Sequence, residues 1–176
     1  IAVPVFDRIS NFDDFDPLKA EPEIDLVFVK AGERIPENAA LIVLPGSKST
    51  ISDLAGLRRN GWEEEIRRHQ AAGKPVLGIC GGYQMLGREL NDPLGLEGEP
   101  SSVKGLGLLE ISTEMEPEKA VRNAGGHSVA FGAPVNGYEI HNGRTSGPDC
   151  RNAFAVLDGH PDGAISADGR VMGTYL

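Results

Sequence analysis

A cysteine set between glycines is the part of this sequence best suited to chemistry. The segment Gly78-Ile79-Cys80-Gly81-Gly82 follows an apolar run that ends at Leu77, and it precedes the helix-like Tyr83-Gln84-Met85-Leu86. A strand, a sharp turn and a helix in this order form a nucleophile elbow, here with cysteine in the place of serine. Glycine neighbours relieve crowding at a strained turn, and the start of a helix favours thiolate over thiol. We therefore predict that Cys80 is a nucleophile; the alternative is a buried, inert cysteine ending a core strand.

An acyl-transfer site also needs main-chain donors for the oxygen that becomes negatively charged. The N–H of Gly81 directly follows the nucleophile, and Gly46 or Ser47, in the turn Pro45–Ser49, offers a second donor. The alternative for this turn is an ordinary connection from strand to helix. A phosphate-binding loop is disfavoured, because no upstream glycine completes the pattern G-x-x-x-x-G-K-[ST].

Four histidines are available as a base, namely His69, His127, His141 and His160. His69 falls on a charged amphipathic segment and is expected to be solvated, and His127 and His160 fall in loops. His141 ends the strand-like Tyr138-Glu139-Ile140, so spacing alone makes it the candidate base. A structural or substrate-contacting role for His141 stays open beside that one.

Composition excludes several classes of partner. The chain carries 17 basic and 26 acidic residues, a net charge of -9, with no basic cluster, which argues against nucleic acid and anionic membranes. Neither C-x-x-C nor H-E-x-x-H occurs, so no metal site is predicted, and Asp13, Asp14 and Asp16 are expected to form a solvated loop. The two cysteines suggest no disulfide framework and favour a reducing cytoplasm, with Cys150 as an incidental loop thiol. No apolar stretch is as long as a membrane span, and no signal peptide is evident.

The order of elements predicts an α/β fold. Strands are expected at 25–29, 40–44 and 76–80, and helices from a Thr50–Asp53 capping box to about Arg58 and from Trp62 to Ala72. Such alternation predicts an open, mostly parallel, doubly wound sheet with helices on both faces and ligands at the carboxyl ends of its strands.

The second half is predicted to be a turn-rich β region. Strands are expected at 106–111, 134–135, 138–141, 153–156 and 171–176, with loops or lids at 91–105 and 112–134. The strand-like ends predict that residues 1–176 form a single domain excised from a longer chain.

The elbow and its continuation to Gly87 resemble the nucleophile region of class I, or triad-type, glutamine amidotransferases. More narrowly, the chain resembles the C-terminal glutaminase domains of cobyric acid synthases. The segments that support this resemblance are Arg8–Leu18, Leu44–Ile51, Gly105–Leu109, Gly137–His141 and Gly173–Leu176.

The resemblance implies a function. Such domains hydrolyse glutamine through a cysteine thioester. The ammonia passes to an N-terminal synthetase domain, which uses ATP and Mg to amidate side-chain carboxylates of a corrin on the way to adenosylcobalamin. No cofactor is implied for the glutaminase domain itself. The matching residues are Cys80 as nucleophile, Gly46 and Gly81 as oxyanion-hole donors, and Ser47, Gln84, Tyr138 and His141 as substrate-binding candidates.

One departure from the family pattern concerns the base. In the family, the catalytic histidine directly follows the Gly-Thr-Tyr-Leu segment, which here is Gly173–Leu176. The resemblance therefore implies that residues 1–176 alone are inactive and that His141 is not the base. Two alternatives remain open: the glutaminase subunit of a cell-wall precursor amidase, against which the Ser10–Leu18 segment argues, and a non-catalytic scaffold or redox-thiol domain.

Overall fold

Short apolar runs form the central sheet of the computed structural model, which describes residues 1–176. The helices are α1 Asp16–Ala20, α2 Thr50–Arg59, α3 Trp62–Ala71 and α4 Gly81–Leu86, with 3₁₀ turns at Phe12–Phe15 and Pro148–Arg151. The strands are β1 Ala2–Pro4, β2 Val27–Val29, β3 Ile42–Leu44, β4 Val76–Ile79, β5 Glu89–Asp92, β6 Ser101–Lys104, β7 Ser112–Ser128, β8 Pro134–Ser146, β9 Ala155–Leu157, β10 His160–Asp162, β11 Ala164–Ile165 and β12 Val171–Thr174. None of the helices is both long and apolar enough to cross a membrane.

The central sheet has the order β2-β1-β3-β4-β12-β11, and only β11 is antiparallel to its neighbour. Its five parallel strands therefore follow the flavodoxin-like order 2-1-3-4-5, in which the connections reverse direction between β1 and β3. This confirms the predicted mostly parallel, doubly wound sheet. Ligands in such sheets bind at the carboxyl ends of the strands, and both β3 and β4 end directly before the residues singled out above.

Alternate residues of the strands pack into cores on opposite faces of the sheet. Ala2, Ile42 and Val76 belong to the larger core, which also contains the apolar residues of α2, α3 and α4. Val3 and Val43 face the other way, where they pack with Phe15 of the 3₁₀ turn. Leu77 and Met172 on that same side pack with Phe154 and Leu157 of the second half. Helices thus cover one face, and the other is shared by the Phe12–Ala20 segment and the second sheet.

Helix α2 begins at Thr50 as predicted, but not through the predicted capping box. Asp53 accepts hydrogen bonds from Ser47 Oγ at 2.5 Å and from the N–H of Arg8 at 3.2 Å, so it braces the turn before the helix. The free amides of the first turn are satisfied instead by Glu97, far along the chain.

Helix α3 ends just before Gly73, whose φ of 81° makes it the predicted stop. The prediction that His69 is solvated is wrong. His69 lies on the inner side of α3, is 8% exposed, and places Nε2 3.0 Å from the carbonyl oxygen of Pro75.

The second sheet has the order β10-β9-β7-β5-β6, and β8 pairs along β7. The predicted loop at 112–134 is wrong, because residues 112–128 form the long strand β7 of a hairpin with β8. The charged and glycine-rich sequence reflects its exposure to solvent.

The predicted strand at 106–111 is also wrong. Leu106 and Leu109 are apolar because they are buried against α4, and the N–H groups of Leu106 and Leu108 donate to the carbonyls of Met85 and Leu86.

Gly82 allows α4 to pack directly onto β3. A β-carbon at Gly82 would lie 2.1 Å from the carbonyl oxygen of Leu44, a main-chain atom that cannot move aside. We expect Gly82→Ala to lower the free energy of unfolding by roughly 3 kcal/mol, measured by urea denaturation.

Gly56→Ala is the matched control, because a β-carbon at that site in α2 meets only the flexible side chain of Arg59 at 3.5 Å. This substitution should raise stability by roughly 0.5–1 kcal/mol. Equal stabilities for the two variants would contradict the packing described here.

Candidate active site

Cys80 has a main-chain conformation that few residues other than glycine adopt. Its φ of 50° and ψ of -110° lie outside the regions favoured by L-amino acids. The conformation is held from both sides. The N–H of Cys80 donates to the carbonyl of Thr174 in β12 at 2.9 Å, and its carbonyl accepts from the N–H of Gln84 in α4 at 3.1 Å. The structure therefore contains the predicted elbow, with its sulfur at the carboxyl end of β4.

The main chain of Gly81 and of the turn after β3 lies close to Cys80. The N–H of Gly81 lies near enough to the Cys80 sulfur to lower the pKa of the thiol. The turn after β3 packs against the same point, because a β-carbon on Gly81 would lie 2.9 Å from the nitrogen of Ser47. The N–H groups of Gly46 and Ser47 donate to no acceptor within the chain. The predicted donors are thus brought together, and their role as an oxyanion hole remains a prediction.

The surroundings of the sulfur favour the thiol, whereas the sequence pattern indicated a thiolate. Burial raises the pKa of Cys80, and this effect outweighs the Gly81 N–H and the positive charge of Lys119, which lower it. Cys80 Sγ donates to the carbonyl oxygen of Ile140 at 3.2 Å. The sequence pattern indicated only the local helix start, whereas the sulfur is enclosed by β8, a strand far along the chain.

A cavity of about 520 Å³ opens beside Cys80. Ser47, Gln84 and His141 line it, so three of the predicted substrate-binding residues share one space with Cys80. The cavity wall also contains three charged residues that the sequence patterns did not indicate as site residues: Lys48, Glu97 and Lys119. The last two fall in segments predicted as loops, where no periodicity indicated the direction of a side chain.

Gln84 links four elements of the cavity wall. Its Oε1 accepts from Thr50 Oγ1 at 3.0 Å, and its Nε2 donates to the carbonyl of Asn142 at 2.9 Å and to Tyr175 Oη at 3.2 Å. The side chain is 2% exposed. Because both amide hydrogens are used within the protein, Gln84 orders α2, α4, β8 and the end of β12. Its direct contact with a substrate stays a prediction.

His141 is held as a neutral ring against the cavity. It stacks on Tyr175 with ring centres 3.6 Å apart, and its Nδ1 lies 3.1 Å from the carbonyl oxygen of Gly143. Since a carbonyl only accepts, Nδ1 carries the proton and Nε2 has the lone pair. Burial lowers the pKa of His141, which keeps the ring uncharged at neutral pH.

Tyr138 does not line the cavity. Its side chain is 40% exposed, and its hydroxyl donates to Asp14 Oδ1 at 2.9 Å. By the alternation of β8, Tyr138 shares a face with Ile140 and Asn142, but it lies farther along the strand, where its hydroxyl reaches the Phe12–Phe15 turn instead of the cavity. Asp13, Asp14 and Asp16, expected in a solvated loop, lie in the 3₁₀ turn and α1, and Asp14 ties this segment to β8.

Glu97 closes the side of the cavity next to α2. Its carboxylate accepts from the N–H groups of Thr50 and Ile51, both at 2.9 Å. The loop that carries it is fixed by the fully buried Asp92, which accepts from the N–H groups of Leu96 and Glu97 at 2.8 and 2.9 Å. The residues after β5 are therefore a fixed part of the wall.

The raised pKa of the half-buried Cys80 thiol can be checked by alkylation. In a Cys150→Ala variant, which leaves one thiol, we expect the rate of iodoacetamide addition to Cys80 to increase with pH. Its midpoint should lie above the ordinary thiol value of about 8.5. The same variant in denaturant should show the ordinary midpoint. A folded-state midpoint below that of the unfolded chain would contradict the assignment of a resting thiol.

Comparison with solved structures identifies the fold. The chain is similar to "Structure of PurLQS from Thermotoga maritima", with a TM-score of 0.70 and 18% identity over 99% of this chain and 84% of that one. A crystal structure of a glutamine amidotransferase gives a TM-score of 0.66 and 21% identity over 98% of this chain and 88% of the other. At these identities the likeness concerns the fold, which is that of class I glutamine amidotransferases.

Curated relatives are much closer in sequence. The chain is 60% identical over 176 residues to cobyric acid synthase from Allorhizobium ampelinum and 61% identical over the same length to that from Rhizobium johnstonii. It spans 36% of the length of each of these proteins. The family described as the CobB/CobQ-like glutamine amidotransferase domain matches residues 1–176. The chain therefore belongs to the CobB/CobQ-like glutamine amidotransferase family.

Proposed function

We propose that this chain is the glutaminase domain of a cobyric acid synthase. Its role is to release ammonia from glutamine for the ATP-dependent amidation of corrin side-chain carboxylates in adenosylcobalamin biosynthesis. The identity of about 60% with cobyric acid synthases along the whole chain supports the overall function. The observation that carries the chemistry is the strained Cys80, whose sulfur lies beside a cavity and unused main-chain amides.

The proposed reaction is acyl transfer to the sulfur. Cys80 loses its proton and attacks the side-chain carboxamide carbon of glutamine. The carbonyl oxygen becomes negatively charged and accepts from the N–H groups of Gly81 and Gly46, with Ser47 as a further donor. Each such donor contributes roughly 3 kcal/mol in other enzymes. The carbon–nitrogen bond breaks, ammonia leaves with the added proton, and water cleaves the thioester to glutamate and the free thiol.

A base is needed because the pKa of the Cys80 thiol is raised. His141 offers an unprotonated Nε2 in the same cavity. The resemblance to the family favours instead a histidine directly after Leu176. A residue directly after Leu176 would suit that role, because the end of β12 lies next to Cys80. The N–H of Cys80 donates a hydrogen bond to the carbonyl of Thr174. We propose the second assignment, with His141 as part of the cavity wall. Glutaminase activity of residues 1–176 alone, expected to be absent, tests this choice.

The remaining parts of the reaction lie with the longer protein. We propose that a synthetase domain in the same polypeptide binds ATP and Mg, and that the whole protein is cytoplasmic. We assign no residue of this chain to either cofactor.

Labelling distinguishes the two thiols. We expect a glutamine analogue that carries an electrophile in place of the carboxamide to modify Cys80 and not Cys150, measured by peptide mass spectrometry in a polypeptide extended past Leu176. Cys150 lies outside the cavity, where its sulfur is 3.8 Å from Tyr83 Oη. Modification of Cys150 alone would overturn the site. Equal labelling of both residues by iodoacetamide in denaturant is the control for accessibility.

Ammonia separates the chemistry of Cys80 from a folding role. In a polypeptide of the relatives' full length, Cys80→Ser should abolish glutamine-dependent amidation and leave ammonia-dependent amidation unchanged, because the hydroxyl is a far weaker nucleophile. Cys150→Ala is the matched control and should keep both activities. Loss of both activities in Cys80→Ser would show that the residue serves folding or domain docking instead.

A further inference from the structure

Two ammonium groups line the cavity without an anionic partner. Lys48 follows β3 and Lys119 lies on β7, and neither side chain forms an ion pair or a hydrogen bond within the protein. The only carboxylate on the wall is that of Glu97, which already accepts from two amides of α2. His141 is neutral. In a chain with a net charge of -9, this cavity is therefore a local site of positive charge.

An irregularity in the hairpin places Lys119 at the cavity. Glu114 pairs with Arg144, and the next pair is Lys119 with Asn142, so Met115–Glu118 lies opposite Gly143 alone. Gly143 has a φ of 99°, which lets β8 turn at this point. Bulges of this kind redirect side chains and occur frequently next to active sites. Lys119 thereby comes to lie beside Asn142, whose carbonyl holds Gln84.

We propose that Lys119 binds the α-carboxylate of the amino-acid substrate, with Lys48 as a second positive charge of the same subsite. The inference rests on the proposed function, since it takes glutamine as the substrate. A short aliphatic chain separates the carboxamide of glutamine from its α-carboxylate. A cation on the cavity wall near Cys80 would therefore stabilise this carboxylate once the carboxamide carbon is at the sulfur. Hydrogen bonds from ammonium to carboxylate are among the stronger ones in proteins.

Gln84, Tyr138 and His141 were predicted from the sequence to bind substrate, but none of them supplies a positive charge for the α-carboxylate. Gln84 has used both amide hydrogens, Tyr138 lies outside the cavity, and His141 is uncharged. Lys119 is near enough to Cys80 for its charge to lower the pKa of the thiol.

The test compares glutamine with 4-aminobutanamide, which is glutamine without its α-carboxylate. In the full-length polypeptide, kcat/KM is measured for both substrates in the parent protein and in Lys119→Met, Lys119→Arg and Lys104→Met. Lys104 is exposed on β6 and outside the cavity, so Lys104→Met is the control for loss of one positive charge.

We expect Lys119→Met to lower the ratio of the two kcat/KM values, glutamine over 4-aminobutanamide, by roughly 10- to 100-fold. The change should be mainly in the KM for glutamine. Lys119→Arg should restore most of the ratio, and Lys104→Met should not change it. An equal loss on both substrates would overturn the proposal, since Lys119 would then act on the sulfur or on folding. An unchanged ratio would overturn it as well.

Failure of this proposal can be told from failure of the proposed function. If Cys80→Ser keeps glutaminase activity, the proposed reaction itself is wrong. If Cys80→Ser is inactive while the ratio in Lys119→Met equals that of the parent protein, only the carboxylate subsite is wrong.

Discussion

The position of the Cys80 sulfur depends on two main-chain hydrogen bonds that hold this residue in a strained conformation. Such backbone geometry costs on the order of 1–3 kcal/mol and persists only where its surroundings fix it. Here β12 fixes the nitrogen of Cys80, and the first turn of α4 fixes its carbonyl. A relaxed backbone would turn the sulfur away from the cavity. The close approach of α4 to β3 at Gly82 serves the same end, because it sets the helix that carries the second bond.

These constraints come from distant parts of the chain. The second sheet lies between α4 and β12 in sequence, and its hairpin brings Ile140, Asn142 and Lys119 to the cavity beside Cys80. Without this return, the carboxyl edge of the central sheet would be an open surface. Gln84 joins the two halves, because its amide binds Asn142 of β8 and the hydroxyl of Tyr175 just after β12. The side chain of Gln84, one helical turn after Cys80, therefore couples the elbow to both β8 and the end of β12.

Local patterns predicted the central sheet, the elbow and the stop of α3 at Gly73, because each depends on residues close in sequence. These local patterns gave wrong predictions where strand pairing or burial depends on residues distant in sequence. The strand β7 is charged and bent by its bulge, so it showed no period, and the apolar run 106–111 reflected burial against α4. Glu97 and Lys119 carried no local signal, since only the fold brings them to the cavity. The polar residues around His69 indicate a solvated side chain, although it lies on the inner side of α3.

Contacts that are distant in sequence also explain why the pKa of Cys80 differs from what its local sequence indicates. A local pattern indicates the helix start that favours thiolate, but α4 has only six residues, and desolvation by β8 acts against the charge. Burial also strengthens every interaction that the cavity makes with charge, because fewer water molecules screen it. The enclosure that raises the pKa of the thiol therefore increases the effect of the Gly81 amide and of Lys119. The pKa of Cys80 therefore depends on the balance between desolvation and fixed positive charge, and the glycine-flanked turn determines only the position of the sulfur.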